Sequence, residues 1–330
     1  MLNRRGTLAS LTGGLLASVA AGAAHSKVKP KTTTQDFPMD PTEVLPLWPG
    51  DPPGATGVTV VEAIIERGDP KGLRDRAVVH TRKPTLTVIR PAKPNGAAVI
   101  LMPGGGYERV VTDKEGFETA RWLAEHGYTC FVLLYRLPGD GWGAGPDAPL
   151  QDAQRAVRLV RSKAAAMKFD PARVAIMGFS AGGHLAASLT TRFDAKVYDR
   201  IDAADDLSAR PNLSCLMYAV MSMADGPVHL GSRKQLLGVS PTAEQIALYS
   251  PDQNVTDRLP PVFLVHAADD KTVPVANSLM MFTALKAKAI PAELHVFEEG
   301  GHGFGMRFIT GKPVAAWPEL FATFAKRHGV

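Results

Sequence analysis

The sequence predicts an α/β fold with a mostly parallel central sheet that is covered by helices on both faces. Six short runs are apolar on both faces and are bounded by Gly, Pro or Asp, as buried parallel strands are. Amphipathic segments alternate with these runs, and the connections between them are short. In a doubly wound sheet of this kind, ligands bind beyond the carboxyl ends of the strands.

Residues 1–24 predict a signal peptide for export. They combine a basic start containing Arg4 and Arg5, an apolar run from Leu8 to Ala21, and small residues suited to cleavage by a signal peptidase. The paired arginines resemble a twin-arginine signal. A retained membrane anchor is the alternative, but a Gly- and Ala-rich run this short spans a bilayer poorly. We therefore expect a periplasmic or extracellular protein with no stable membrane association after cleavage.

The rest of the chain predicts a linker and one domain. Residues 25–46 are rich in Lys, Thr and Pro without apolar periodicity, so we expect an extended linker or strap before a domain over residues 47–330. The formal net charge of +5 is weak and dispersed, which argues against nucleic acid as a partner. Cys130 and Cys215 lie in apolar strand-like runs and are expected to be buried free thiols.

The strand signals follow one another along this domain. Two early signals, "GVTVVEAIIERG" and "TLTVIRP", precede six buried runs: "AAVILMP", "YTCFVLLY", "RVAIMGF", "LSCLMYAV", "PVFLVHA" and "AELHVFE". The clearest helix covers Asp152 to Lys168, where apolar residues recur at helical spacing and form a single stripe. The segment between the runs "LSCLMYAV" and "PVFLVHA" is long and polar, and it predicts a small lid or rim.

The stretch "MGFSAGGHLA" places Ser180 between a predicted strand and a predicted helix. The pattern Gly-Phe-Ser-Ala-Gly is a nucleophile elbow, because Gly178 and Gly182 lack the side chains that would collide across so tight a turn. The turn holds the serine in strained backbone geometry at the sheet edge. The backbone N–H of Ala181, directly after the nucleophile, is a candidate donor for an oxyanion.

A serine nucleophile needs a base, and the base needs an acid that holds its tautomer. In chain order the acid precedes the histidine, and His302 in "GGHGFG" follows the last predicted strand. Asp270 is our choice of acid, because it lies further from its strand end than Asp269 does. Asp269 and Asp225, which follows an earlier strand, remain alternatives.

The run Pro103-Gly104-Gly105-Gly106 ends another strand and predicts an oxyanion hole. We expect Gly105 and Gly106 to turn bare backbone N–H groups toward a substrate, with Tyr107 lining the site. His184 lies on the elbow helix and is interpreted as a packing or hydrogen-bonding residue. No histidine spacing suits a metal, and no dinucleotide fingerprint is present, so no cofactor is expected.

With these motifs in place, the chain resembles the α/β-hydrolases, in particular exported bacterial esterases related to acetyl xylan esterases. The motifs that carry the resemblance include "PGGGYERVVTDKEG", "PLQDAQRAVRLVR", "MGFSAGGHLAA", "PPVFLVHAADDKTVPVANSL" and "ELHVFEEGGHGFG". Lipases of the hormone-sensitive type carry His where this chain has Pro103, which favours the carbohydrate esterases. The resemblance implies Ser180, Asp270 and His302 as the triad, removal of O-acetyl groups from plant polysaccharides or oligosaccharides, and no metal.

Two other functions remain as alternatives. A serine peptidase of the prolyl oligopeptidase type shares the fold and the triad, but it usually carries a large extra domain that is not expected at this length. A noncatalytic carbohydrate-binding protein could keep the same scaffold, although an intact triad and glycine loop argue against it. The exact ester substrate is left open by the sequence, since several acetylated sugars suit a polar rim.

Overall fold

The computed structural model describes residues 40–69 and 72–330. The predicted signal peptide and most of the predicted linker lie outside the described residues. Within those ranges the strands are β1 Val44–Pro46, β2 Ala63–Glu66, β3 Arg76–Val79, β4 Thr85–Ile89, β5 Ala98–Met102, β6 Val110–Val111, β7 Thr129–Leu134, β8 Val174–Phe179, β9 Leu213–Met217, β10 Val262–Ala267 and β11 Ala292–Phe297. The α-helices are α1 Glu118–Glu125, α2 Ala148–Ser162, α3 Ala164–Met167, α4 Ser180–Thr191, α5 Leu230–Leu237, α6 Ala243–Leu248, α7 Ala276–Ala287 and α8 Trp317–Arg327.

The main sheet has eight strands in the order β1-β4-β7-β5-β8-β9-β10-β11. Strands β7, β5, β8, β9, β10 and β11 run parallel to one another, whereas β4 pairs antiparallel with both β1 and β7. The predicted mostly parallel sheet is therefore confirmed. Strands β2, β3 and β6 form a second, antiparallel sheet.

Side chains alternate between the two faces of the main sheet and build two hydrophobic cores. In β8, Ile176 belongs to the core that α2, α4 and α7 cover, whereas Ala175 and Met177 belong to the core that α1 and α8 cover. Both faces are therefore buried, which explains why this strand reads as an unbroken apolar run. All six of its residues are buried.

The described end of the predicted linker takes part in the main sheet. Val44, Leu45 and Pro46 form β1 and pair with β4, and Leu47 directly after them is fully buried. The sheet thus includes three residues that the sequence assigned to the linker. A strand of three residues with a proline at its end is too short to give a periodic signal.

Two further expectations can be compared with the described residues. Cys130 and Cys215 are buried free thiols, as predicted, and their strands are separated in the sheet by β5 and β8. Burial raises the pKa of both thiols. Across residues 40–69 and 72–330, none of the helices combines the length and the apolar character needed to cross a membrane.

Candidate active site

Ser180 lies on a sharp turn between β8 and α4. Its φ of 53° falls in the left-handed region, although serine has a Cβ that disfavours this conformation. The turn is possible because the neighbouring backbones approach closely at two glycines. A Cβ on Gly178 would lie 2.3 Å from the carbonyl oxygen of Gly182, and a Cβ on Gly182 would lie 2.1 Å from that of Met102. The elbow therefore requires glycine at both positions.

The structure brings Ser180, His302 and Asp270 together. His302 Nε2 lies 2.9 Å from Ser180 Oγ, and His302 Nδ1 lies 2.7 Å from Asp270 Oδ2. Because a carboxylate can only accept, Nδ1–H donates to Asp270, and Nε2 is left to accept the proton of the serine hydroxyl. The ring of Tyr218 packs edge-on against His302, with centroids 5.2 Å apart. The series of hydrogen bonds from Ser180 through His302 to Asp270 is the arrangement that activates a serine for nucleophilic attack.

The carboxylate of Asp270 is held by hydrogen bonds to both oxygens. Oδ1 accepts from the backbone N–H groups of Thr272 and Val273 at 2.8 and 2.9 Å, and Oδ2 faces His302. Burial alone would raise the pKa of this carboxyl, but hydrogen bonds with His266, His302 and Val273 outweigh burial and hold the pKa well below its usual range. Asp270 therefore stays ionised and fixes the tautomer of His302.

Neither alternative acid contacts His302 in the described part of the chain. Asp269 Oδ1 accepts from the backbone N–H groups of Gly300 and Gly301 at 3.0 and 2.7 Å, so it holds the loop that carries the histidine. Asp225 is exposed and forms an ion pair with Arg233. The geometry thus selects Asp270 among the three carboxylates.

The glycine run after β5 lies beside the elbow. Gly105 and Gly106 have φ values of 135° and 68°, and both line the same cleft as Ser180 and His302. A Cβ on Gly105 would lie 2.2 Å from the carbonyl oxygen of Arg109, so the loop requires glycine there. Ala181 is the second residue of α4, and the first N–H groups of a helix have no intrahelical partner. Backbone donors from both segments therefore border the nucleophile.

Tyr107 does not line the cleft, contrary to the expectation from the sequence. Its backbone has a φ of 62°, and its side chain is only 2% exposed. The hydroxyl lies 2.8 Å from His184 Nδ1, while His184 Nε2 lies 2.8 Å from the carbonyl oxygen of Tyr249. The turn thus directs the ring inward beneath α4, where Tyr107 and His184 join the oxyanion loop to the elbow helix.

Tyr107 and His184, the two buried residues of this hydrogen bond, both have shifted pKa values. Burial lowers the pKa of His184 to about 4, and burial raises the pKa of the Tyr107 hydroxyl well above its ordinary value. His184 is therefore neutral, with Nε2–H donating to Tyr249 and Nδ1 accepting from Tyr107. This agrees with the interpretation of His184 as a hydrogen-bonding residue.

Glu115 is a site residue that the sequence reasoning missed. It is 3% exposed, and its Oε2 accepts from the N–H of Gly104 at 2.7 Å. Its Oε1 accepts from the Tyr218 hydroxyl at 3.0 Å, and that hydroxyl accepts in turn from Gly305 N–H at 3.2 Å. One carboxylate thus connects the oxyanion loop to the histidine loop. No spacing in "TDKEG" distinguishes Glu115 from its charged neighbours.

The cleft above Ser180 and His302 has a volume of about 490 Å³. His229 and Gly231, from the start of α5, contribute to its wall, so the segment predicted as a lid or rim does border the site. Lys114 and Glu115 contribute to the wall on the oxyanion-loop side. Within the ranges that the structure describes, no three His, Cys, Asp or Glu side chains are grouped so as to hold a metal ion.

With this geometry established, comparison with known proteins places the chain in a family. Residues 86–285 match the family model BD-FAE. The chain belongs to the BD-FAE family. The α/β-hydrolase fold and the resemblance to acetyl xylan esterases are both confirmed by solved structures and curated relatives.

Three of the similar proteins have names that refer to xylan or to a xyloside. An acetylxylan esterase of Xylanibacter ruminicola is 34% identical over 68% of this chain and 44% of its own length. Endo-1,4-beta-xylanase B of Butyrivibrio fibrisolvens is 36% identical over 62% of this chain and 32% of its own length. The crystal structure of an acetyl ester-xyloside bifunctional hydrolase from Caldicellulosiruptor lactoaceticus has a TM-score of 0.69 at 34% identity, covering 87% of this chain and 96% of that chain. The chain thus spans less than half the length of these two curated relatives.

Proposed function

We propose that this protein is a serine carboxylesterase that removes acetyl groups from plant polysaccharides or oligosaccharides. The observation that carries the proposal is the continuous hydrogen-bonded chain Ser180–His302–Asp270, with distances of 2.9 and 2.7 Å, at the base of an open cleft. The names of the relatives support the substrate class, since two of them refer to acetyl esters. A serine with this geometry and adjacent backbone donors is equipped for acyl transfer.

In the first half of the reaction, Ser180 Oγ attacks the acetyl carbonyl carbon while His302 Nε2 takes the hydroxyl proton. The carbonyl π electrons move to its oxygen, and the N–H groups of Gly105, Gly106 and Ala181 stabilise the resulting oxyanion. When the tetrahedral intermediate collapses, the bond to the sugar oxygen breaks, and His302 donates its proton to that oxygen. The sugar leaves as an alcohol, and an acetyl-enzyme remains.

In the second half, water takes the place of the sugar. His302 Nε2 removes a proton from the water as its oxygen attacks the acetyl carbonyl, and the oxyanion again accepts from the backbone N–H groups. Collapse breaks the bond to Ser180 Oγ, which recovers its proton from His302. Acetic acid leaves and loses its proton to solvent as acetate, and Asp270 keeps His302 in the required tautomer through both halves.

The test compares the unchanged protein with Ser180→Ala on acetylated xylan, p-nitrophenyl acetate and a proline-containing peptide amide. We expect acetate release from the first two by the unchanged protein and none from Ser180→Ala. Acetate release that survives the substitution would overturn the proposal. Peptide cleavage without ester hydrolysis would indicate a prolyl oligopeptidase-type peptidase, and polysaccharide binding without turnover would indicate a noncatalytic binding protein.

A matched control is available on the same helix. Ser188 is also buried in α4, and its Oγ has no hydrogen-bond partner among the described residues. Ser188→Ala therefore removes a buried serine hydroxyl from the same element without touching the triad. We expect this variant to retain acetate release, so that a loss seen only in Ser180→Ala reports the nucleophile rather than the fold.

We also propose that residues 1–24 direct export to the periplasm or the medium. The basic start, the apolar run and the small residues after it support this proposal. Cell fractionation of the full chain should recover a shortened protein outside the cytosol, and replacing Arg4 and Arg5 by Lys should retain it inside. Full-length protein in the cytosol would overturn export, whereas export that survives the double replacement would exclude the twin-arginine route alone.

A further inference from the structure

The wall of the cleft carries an ammonium group close to the catalytic histidine. Lys114 follows the oxyanion loop in the chain and lines the cleft together with Ser180 and His302. A Cβ built on Gly303, the residue after His302, would lie 3.1 Å from Lys114 Nζ. The same Nζ lies 5.7 Å from the centre of the Phe308 ring. The charge of Lys114 is therefore held beside the base of the triad.

The other cations of the cleft have carboxylate partners. Arg109 pairs with Glu108 at 2.5 Å, and Arg67 pairs with Asp75 at 3.7 Å. For Lys114, in contrast, no carboxylate oxygen of the described residues lies within ion-pair distance. Lys114 is thus the cleft cation whose charge remains available to a ligand.

Glu115 is the carboxylate next to Lys114 in the chain, but its two oxygens are directed to other donors. Oε2 accepts from Gly104 N–H and Oε1 accepts from the Tyr218 hydroxyl. These hydrogen bonds keep the carboxylate in the buried network between the two catalytic loops. Its charge reduces the field of Lys114 at longer range without occupying the ammonium donors.

His229 supplies a second donor from the α5 side of the cleft. Its Nδ1 accepts from the backbone N–H of Ser232 at 3.2 Å, and a backbone N–H can only donate. The ring proton therefore lies on Nε2, for which no partner is found among the described residues. Burial lowers the pKa of His229, and the nearby His302 lowers it further, so the ring is neutral. The cleft thus offers a hydrogen-bond donor from the rim in addition to the ammonium of Lys114.

We propose that Lys114 and His229 bind a carboxylate of the substrate, so that the preferred ester is an acetylated oligosaccharide containing a uronate sugar. This inference rests on the proposed esterase function. A uronate offers two acceptor oxygens and a negative charge to a wall that presents donors. The carboxylate belongs to the sugar rather than to the acyl group, because the acyl group of the proposed substrate is acetyl, which carries no charge.

The test measures kcat/KM for acetate release from an acetylated uronate-containing oligosaccharide and from the same compound with its uronate methyl-esterified. The unchanged protein should prefer the free acid by about tenfold, mainly through KM, and the preference should fall as salt is added. Lys114→Met should abolish the preference, and Lys114→Arg should preserve it. Because the readout is a ratio between two substrates, a general loss of active protein does not imitate the effect.

Lys196→Met is the matched control, because Lys196 is exposed, pairs with Asp199 and is not part of the cleft wall. It should keep the full preference. Equal kcat/KM for the acid and its methyl ester in the unchanged protein would overturn the inference while leaving the esterase function intact. A preference instead for p-nitrophenyl succinate over p-nitrophenyl acetate would move the carboxylate to the acyl group and also overturn it. No hydrolysis of any ester would contradict the proposed function itself.

Discussion

Replacing Asp270 by Asn should invert the hydrogen bonding of His302. Asp270 Oδ1 accepts from the backbone N–H groups of Thr272 and Val273, so the single oxygen of Asn must occupy that position. The amide NH₂ then takes the place of Oδ2, 2.7 Å from His302 Nδ1. Because the NH₂ can only donate, Nδ1 must accept and the ring proton moves to Nε2. Nε2 then faces Ser180 Oγ as a donor and cannot take its proton.

The size of the effect follows from this change of tautomer. The wrong tautomer in a Ser-His-Asp triad lowers kcat by about 10⁴-fold, or about 5 kcal/mol of transition-state stabilisation at 1.36 kcal/mol per factor of ten. The cleft does not include Asp270 in its wall, so KM should change little. The two backbone hydrogen bonds are kept, so the acid loop should retain its conformation.

The assay is steady-state hydrolysis of p-nitrophenyl acetate by the unchanged protein, Asp270→Asn, Asp269→Asn and Asp225→Asn. Asp269→Asn keeps an oxygen that can accept from Gly300 and Gly301, so its kcat should fall by less than about tenfold. Asp225→Asn affects only an exposed ion pair and should leave kcat unchanged. If kcat of Asp270→Asn stays within tenfold of the unchanged protein, the inferred tautomer and the choice of acid are both refuted.

Three further predictions concern the buried groups around the site. Tyr107→Phe leaves His184 Nδ1 without its donor, so the free energy of unfolding should fall by about 1–3 kcal/mol, measured by chemical denaturation, while KM is retained. Burial lowers the pKa of His184 to about 4 in the folded protein, from an ordinary value of 6.5. Its contribution to stability is therefore complete above pH 6.5 and is lost as the pH falls toward 4, by about 3 kcal/mol, and His184→Gln should remove this part of the pH dependence. Glu115→Ala leaves Gly104 N–H and the Tyr218 hydroxyl without an acceptor, so kcat should fall by about tenfold, with Glu115→Gln recovering most of it.

Each of these predictions has a contrary result. A raised KM in Tyr107→Phe with unchanged stability would place the ring in the cleft. If the free energy of unfolding changes with pH by the same amount in the unchanged protein and in His184→Gln between pH 4 and 7, this histidine is not buried in its neutral form. Equal kcat values for Glu115→Gln and Glu115→Ala would show that hydrogen bonding by the carboxylate does not position the two loops.

The triad was accessible to sequence reasoning because it depends on local motifs and on chain order. The elbow around Ser180 is contained in five residues. Both of its glycines are required by close backbone contacts, of Gly178 with Gly182 and of Gly182 with Met102. Asp270 and His302 each follow a strand that an apolar run makes recognisable. All six apolar runs predicted strands of the main sheet. Five of them became the buried strands β5, β7, β8, β9 and β10, since burial on both faces leaves a clear signal, whereas the sixth became the edge strand β11, whose residues are only partly buried or exposed.

The failures concern side-chain direction and short elements. Tyr107 follows three glycines, and its ring turns inward to His184 from a backbone with a positive φ, which no local sequence pattern indicates. Glu115 becomes important through Tyr218, which lies more than a hundred residues away in the chain. Strand β1 was missed because three residues give no period.

The order of strands explains why the reaction is easier to infer than the substrate. Register pairs Met102 with Gly178, so the loop after β5 must lie beside the elbow after β8, and the acid and histidine follow the ends of the paired strands β10 and β11. The catalytic groups are thus placed by the ladder of the sheet. Lys114 and His229 belong to segments outside that ladder, and no strand register constrains them. Sequence changes there can alter the ligand while the triad geometry is preserved, which makes the acid-to-methyl-ester ratio a test of specificity independent of the chemistry.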